Sequence, residues 1–253
     1  MNLYTLTPNL VPLALRCAAF AIFFGLLQGC ATGPNANSAD PIEPLNRAVF
    51  NFNEGLDRTI IRPVAIAYDK VTPAPIQTGI RNFFGNLGDV VSIFNNALQF
   101  KAQDAVETLT RVGINTFFGF GGVLDIASEM QLSKNSQDFG QTLGVWGLQA
   151  GPYLVVPLLG PSSVRDIAGR LIEAPVDVLN NAKHVPTRNS ITLFRLVDKR
   201  ASLLEITDAL EAAALDRYSF SRDLYLQRRA NSITSTSKEK EERFDLPEAP
   251  AKK

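Results

Sequence analysis

The chain has 253 residues, of which 25 are basic and 25 acidic, so its formal net charge is zero. That balance offers no basic field for nucleic acid. One histidine and two cysteines leave no ligand set for a zinc cluster, and the length suffices for one sizeable core.

The first 29 residues contain one charged side chain, Arg16, followed by the apolar run from Cys17 to Leu27. That run is short for a membrane span and has the flanks of a secretory signal. It ends in Leu27-Gln28-Gly29-Cys30, which resembles a lipobox, the site where bacterial lipoproteins are cleaved just before a cysteine that is then acylated. Small Gly29 suits that cleavage, and Gln28 is a less typical residue. The competing reading is an uncleaved anchor with a chance cysteine. Ala31 rather than Asp follows Cys30, which by resemblance to lipoprotein sorting favours the outer membrane. Residues 1–29 are read as a lipoprotein signal peptide and 30–40 as an acylated polar linker. Cys17 leaves with the signal and Cys30 carries lipid, so no thiol remains for a disulfide, redox or metal site.

Asp40-Pro41 opens a helix, with Pro tolerated in the first turn and Glu43 favouring the dipole. Leu45, Val49, Phe52 and Leu56 recur on one face, which is expected to pack inward. Arg62-Pro63 is expected to break the helix, leaving 64–73 as a short second piece. A helix from about Ile76 to Phe100 carries the apolar stripe Ile80, Phe83, Phe84, Leu87, Val91, Phe94 and Leu98. Asn82, Asn86, Asn95 and Asn96 lie partly off that stripe. Another helix is expected from Gln103 to Phe118, ended by the apolar glycine-rich turn 117–122, and a short one from Asp125 to Met130. Ser162-Ser163 caps a helix towards Asn180, interrupted near Pro175. From Asn189 onward, Leu193, Leu196, Leu203 and Leu210 repeat with charges between them, as in an ordinary amphipathic helix. Strand-like alternation is confined to Tyr153–Val156, and Pro157 argues against a strand there. The region from Asn231 is rich in Ser, Thr and charge and reads as a disordered tail. The fold class is all-α.

One stretch departs from this pattern. Between Asp138 and Arg165 there is no charged side chain, yet the run contains five glycines and three prolines. Helix breakers exclude a simple membrane-spanning helix, and irregular backbone in lipid is tolerated only against protein or a wet cavity. The stretch therefore reads as a cavity wall at or in a bilayer, or as a buried core loop.

Catalytic signatures are missing. His184 lies beside Lys183 in a predicted turn. Gly160-Pro-Ser-Ser lacks the spacing of a nucleophile elbow, and Gly119, Gly121 and Gly122 are followed by no Gly-Lys-Ser/Thr. Asp125 and Glu129 read as solvated carboxylates. No enzyme, cofactor or metal is expected.

Four blocks carry a family resemblance: DPIEPLNRAVFNFNEGLDRTIIRPVA (40–65), NFFGNLGDVVSIFNN (82–96), NTFFGFGGVLDIA (115–127) and DFGQTLGVWGLQAGPYLVVPLLGPSSVRD (138–166). Together they closely resemble the MlaA (VacJ) outer-membrane lipoproteins, with the match spread over a helical domain at 41–230. The resemblance implies a ring-like bundle of amphipathic helices, embedded in the inner leaflet of the outer membrane and lipid-anchored on its periplasmic side. Such a ring encloses a central channel through which mislocalised outer-leaflet phospholipids leave, preserving lipid asymmetry. It implies work beside trimeric porins of the OmpC/OmpF kind and transfer of lipid to the periplasmic carrier MlaC.

A lipid crossing a leaflet needs a polar path for its head and an apolar one for its tails. Glycine and amide groups give weak polar contacts, and Val, Leu and Phe serve the tails. The channel and its irregular Gly/Pro-rich hairpin loop are accordingly assigned to Gly140, Gly144, Trp146, Gly147, Leu148, Gly151, Tyr153, Leu154, Val155 and Leu158. Trp146 and Tyr153 are alternatively interfacial anchors. Asn51 and Phe52 are assigned to positioning the ring, because removing two helical residues rotates the N-terminal part of the helix by roughly 200° against the C-terminal part. Rival readings are a structural lipoprotein that scaffolds porins without moving lipid, and a phospholipid hydrolase.

The lipobox reading predicts that a Cys30→Ala protein, unable to be acylated, is recovered unprocessed or in the soluble fraction. Normal outer-membrane levels of that variant on fractionation would refute it.

Overall fold

Polar side chains fill the interior of this fold and large apolar ones cover much of its outside. The computed structural model describes residues 39–177, 179 and 184–244. The signal peptide and Cys30 lie outside these residues.

The chain begins with α1 (Glu43–Leu56) and α2 (Arg62–Val71). The break expected at Pro63 is instead a π-helical turn, Asp57–Ile61, flanked by helical backbone on both sides. Pro63 has no N–H and its ring crowds the carbonyl four residues back. Widening the preceding turn accommodates both without leaving the helix. Thr72 is extended ahead of Pro73, as residues before proline prefer. α3 (Ala74–Leu98) and α4 (Ala102–Phe117) then form a helical hairpin.

Their interface is polar. Asn86 donates to Thr116 Oγ1 (3.0 Å) and Asn96 to Thr108 Oγ1 (3.4 Å), and beyond α4 Asn96 also reaches the carbonyl of Asn135 (3.0 Å) and Gln99 reaches Thr142 Oγ1 (3.0 Å). On α4, buried Thr108, Arg111 and Asn115 share the inner face, while Val106, Leu109 and Phe117 face out, Phe117 at 84% exposure. Arg111 is 1% exposed and pairs with Asp125 (3.0 Å). Asp125, expected to be solvated, caps α5 (Ile126–Glu129) and ties that turn to α4. Among the described residues, seven apolar and nineteen polar or charged side chains are buried, which inverts the usual order.

α6 (Phe139–Val145) starts with a capping box formed by Asp138 and Gln141. β1 (Tyr153–Val156) and β2 (Gly160–Ser163) come next, antiparallel, with Tyr153 opposite Ser163 and Val156 opposite Gly160. Tyr153–Val156 is thus a strand despite Pro157. The proline falls in the three-residue turn, where no ladder hydrogen bond is required, and Leu158 (φ 65°) and Gly160 (φ 77°) reverse the chain.

β1 would be an open edge, and α1 closes it. Asn46 Nδ2 donates to the carbonyl of Tyr153 (3.0 Å) and Asn46 Oδ1 accepts from Val155 N (2.9 Å). Asn53 repeats the arrangement at Val156 O (3.0 Å) and Leu158 N (2.9 Å). The docking face of α1 is therefore Asn46, Val49, Phe50 and Asn53. Of the apolar face expected to pack inward, Leu45 and Phe52 point outward, as does Asn51. A strand edge needs polar partners, and apolar side chains cannot provide them.

α7 (Val164–Glu173) crosses α6 where Gly140 meets Gly169. α8 (Val185–Ala201), α9 (Leu204–Ala213) and α10 (Arg217–Phe244) complete the fold. α10 runs past Asn231, where a disordered tail was expected to begin. Its Lys, Glu and Arg residues are good helix formers, and Ile233 packs at Gly144. From α10, Arg229 reaches both ends of the uncharged stretch, Asp138 (2.6 and 2.9 Å) and Asp166 (2.7 Å). Burial disfavours the Asp166 carboxylate, but hydrogen bonds from Arg229 and Tyr225 outweigh it and hold its pKa below the ordinary range. Contacts run α3–α8–α2–α1–β1–β2–α10–α6 and back to α3. The class is helical, as expected, and the elements close a ring.

The strand edge and the glycine crossing can each be tested by stability. Asn46→Leu orphans two backbone groups on β1, at roughly 1–3 kcal/mol each, whereas Asn51→Ala stays within about 0.5 kcal/mol. Urea midpoints in detergent check this, and equal midpoints would refute the edge assignment. At Gly169 a methyl would sit 2.5 Å from the Gly140 nitrogen, while one at Gly55 meets nothing within 4 Å. Gly169→Ala should destabilise by about 1–3 kcal/mol and Gly55→Ala should stabilise by about 0.5–1 kcal/mol, a difference in sign readable from thermal midpoints.

Candidate functional site

α3 and α8 face each other across two clefts. Proline at the start of each helix suits the first turn, and the sequence then sorts each helix lengthwise. Near their N-terminal ends the facing residues are apolar. Ile76, Ile80 and Phe83 of α3 and Ile191 and Phe194 of α8 line a cleft of about 760 Å³. Further along they are polar. Asp89 and Ser92 of α3, Arg195 and Lys199 of α8, Lys134 and Arg228 of α10 border a cleft of about 630 Å³. That second cleft is bordered by the neighbouring helices α3 and α8 and by α10, which the contact circuit joins to α3 through α6.

Phe84 lines both clefts. Its ring lies 6.3 Å from that of Phe194 and beneath the Arg195 guanidinium at 5.7 Å. The boundary between apolar and polar surface is therefore one aromatic side chain with a cation on its face. Gly85 and Gly88 keep the α3 wall low, and a methyl at Gly85 would approach Lys134 Nζ to 2.7 Å.

The polar cleft has an uneven field. Asp89 is buried with Lys134 at 3.9 Å, and burial raises its pKa against the pull of Lys134. Asp198 accepts from Tyr68 OH (2.8 Å), a phenol that burial and this bond push up to about 12. Asp138 is held by Arg229. On the other side, Lys199 is reached by solvent but crowded by protein, and that crowding, with Arg195, Arg170 and Arg228, holds its pKa below the ordinary lysine range.

Neither cleft takes a lining residue from the hairpin set assigned above. Gly140 and Gly144 are close-packing points, the first against Asp166 and Gly169, the second against Ile233 and Arg165. Gly147 (φ 94°) and Gly151 (φ 69°) are turn residues. Tyr153 and Val155 belong to the small apolar core with Tyr218, and Leu154, between them, points the other way and is half-buried. Strand alternation dictates that split. Trp146, Leu148 and Leu158 point outward, Trp146 with its indole N–H on the carbonyl of Leu98 (3.1 Å). Leu158 does border a separate cleft of about 360 Å³ beside α1 and α8. The set thus divides into packing residues and outward-facing apolar ones.

The polar cleft residues were missed because each charge on α8, taken alone, fits a solvated helix face. Arg195 and Lys199 are four apart, so they share one face with like charge, which disfavours a plain helix. That spacing was the available signal.

Among the described residues, no helix is long and apolar enough to cross a membrane. Large apolar side chains of α3, α4 and the hairpin are instead exposed, as at protein or membrane interaction surfaces.

The comparisons with known proteins agree with this architecture. The sequence model described as MlaA lipoprotein matches residues 38–232. An intermembrane phospholipid transport system lipoprotein MlaA of Shigella flexneri is 35% identical over 221 residues, 85% of this chain and 87% of that protein. Its namesake in Escherichia coli K12 is 34% identical over the same share of each chain. A solved structure, from work on the structural basis for maintenance of bacterial outer membrane lipid asymmetry, matches with a TM-score of 0.69 and 31% identity. That match covers 77% of this chain and 98% of the other. The chain belongs to the MlaA lipoprotein family.

Proposed function

We propose that this protein removes mislocalised phospholipids from the outer leaflet of the outer membrane and passes them to a periplasmic carrier, so maintaining lipid asymmetry. The observation that carries the reading is the inverted burial: polar groups packed in the protein interior and many large apolar ones exposed. A protein covered by lipid and enclosing a wet space has that distribution. Anchoring through acylated Cys30 would hold the ring at the periplasmic side of the membrane, with its apolar flanks in the inner leaflet. A trimeric porin and the carrier MlaC are its partners on this reading.

The reading assigns no catalytic residue. His184 is spent as the exposed cap of α8, accepting from Thr187 N. The clefts offer shape and charge rather than a positioned nucleophile and base. The outward hairpin residues Trp146, Leu148 and Leu158 serve as the apolar contact of the hairpin with lipid or porin.

Cells lacking the protein should accumulate surface-exposed phospholipid, and the wild-type chain should reverse this. The detergent-extracted protein should carry phospholipid in native mass spectrometry. A pure scaffold would carry none, and that result together with unchanged asymmetry would end the reading. At the hairpin tip, Leu158→Asp places a charge at a lipid-facing position, at about 2.5–3.5 kcal/mol. Helical circular dichroism should be unchanged while surface phospholipid rises. Intact helicity with normal asymmetry would remove the hairpin from the lipid path.

A further inference from the structure

Lys199, Arg195 and Arg228 converge on the polar cleft, and Arg170 of α7 is near enough to act on Lys199. Among the described residues none of the four has a carboxylate within salt-bridge distance. Of the carboxylates that border the same cleft, Asp138 pairs with Arg229, Asp89 faces Lys134, and Asp198 accepts from the neutral Tyr68 hydroxyl. Gathering these cations with no carboxylate in salt-bridge contact costs free energy. An anion entering the cleft would recover it.

We propose that one phospholipid binds across the two clefts, its phosphodiester on Lys199, Arg195 and Arg228 and its acyl chains against Ile76, Ile80 and Phe83. The proposal rests on the transport reading above and adds the headgroup site to it. Phe84 fixes the geometry, because it borders both clefts and carries Arg195 on its ring. A molecule whose charge and tails are covalently joined matches two clefts that meet at one residue. Inorganic phosphate matches only the polar half.

The site also suits release. Arginine can grip a phosphate with two parallel hydrogen bonds, whereas lysine acts as a point charge. The carboxylates of Asp89 and Asp198 on the same cleft oppose a second negative charge. A monoanionic phosphodiester is therefore held while a more highly charged headgroup is disfavoured.

The test uses the full-length lipoprotein in neutral detergent, with three probes: dihexanoylphosphatidylglycerol, dihexanoylglycerol and inorganic phosphate. Wild type should bind the phospholipid most tightly. The double variant Arg195→Gln/Lys199→Gln should weaken that binding about tenfold or more, the effect of losing a charge-assisted contact. Arg58→Gln, which lies on neither cleft, should not. Removing like charges on one helix face should leave helicity and the thermal midpoint undiminished. Ile80→Asn should weaken the phospholipid and dihexanoylglycerol alike.

Equal binding of phospholipid by the double variant and wild type would overturn the headgroup assignment and leave the transport reading standing. Dihexanoylglycerol binding as tightly as the phospholipid would do the same. Inorganic phosphate binding as tightly as the phospholipid would make this a phosphate site and overturn the lipid assignment. No phospholipid binding by wild type, with unchanged outer-leaflet lipid in cells lacking the protein, would remove both proposals.

Discussion

Arg229 is the residue on which the shape of the ring depends. The stretch from Asp138 to Asp166 has no charge between its ends except Arg165, and one guanidinium on α10 holds both ends at once. With that clamp in place the uncharged segment becomes a closed excursion, able to extend outward without loosening its base. Tyr225, one turn before Arg229, shares Asp166, so the joint is fixed on the same face of α10. Breaking a buried pair of this kind leaves an uncompensated charge, which is far costlier than the net worth of the pair.

The same logic governs the rest of the interior. A helix whose outer face is apolar and covered by lipid gains nothing from an apolar inner face. Its cohesion must come from directional contacts, and hydrogen bonds between Asn, Gln, Thr and Ser provide them. Asn86, Asn96 and Gln99 on α3 do this with Thr116, Asn135 and Thr142. Such a network is specific rather than strong, because each bond nets only about 1 kcal/mol. It is well suited to a body that must keep an open space at its centre.

Helix positions were legible in the sequence because apolar periodicity survives whichever side the apolar face turns. The direction of burial was not. The stripe through Phe94 and Leu98 was visible, but nothing local distinguishes a face turned to a core from one left exposed. Asn46 and Asn53 show why the site was harder still. Their partners are backbone groups more than a hundred residues away, and a strand edge has no side-chain signature. Pro157 and Pro63 misled for a related reason. Proline forbids a hydrogen bond only where one is needed, and a turn or a widened helical turn needs none. The cations of the polar cleft come from α8, α10, α3 and the loop that carries Lys134, and only the packing of these elements brings them together.

α1 lies along β1 as though it were a third strand, and the spacing of Asn46 and Asn53 acts as a ruler. Seven residues are close to two helical turns, so both amides fall on one line and meet backbone groups three residues apart along the hairpin. The interval between them must keep its length more than its composition. Asn51 and Phe52 sit inside that interval with their side chains outward, so their contribution is metrical. They count out the pitch that keeps the second amide aimed at the hairpin turn. The tip of the hairpin is thereby governed from a helix through its own backbone groups, and a change of one residue in length would free the tip while leaving its base attached.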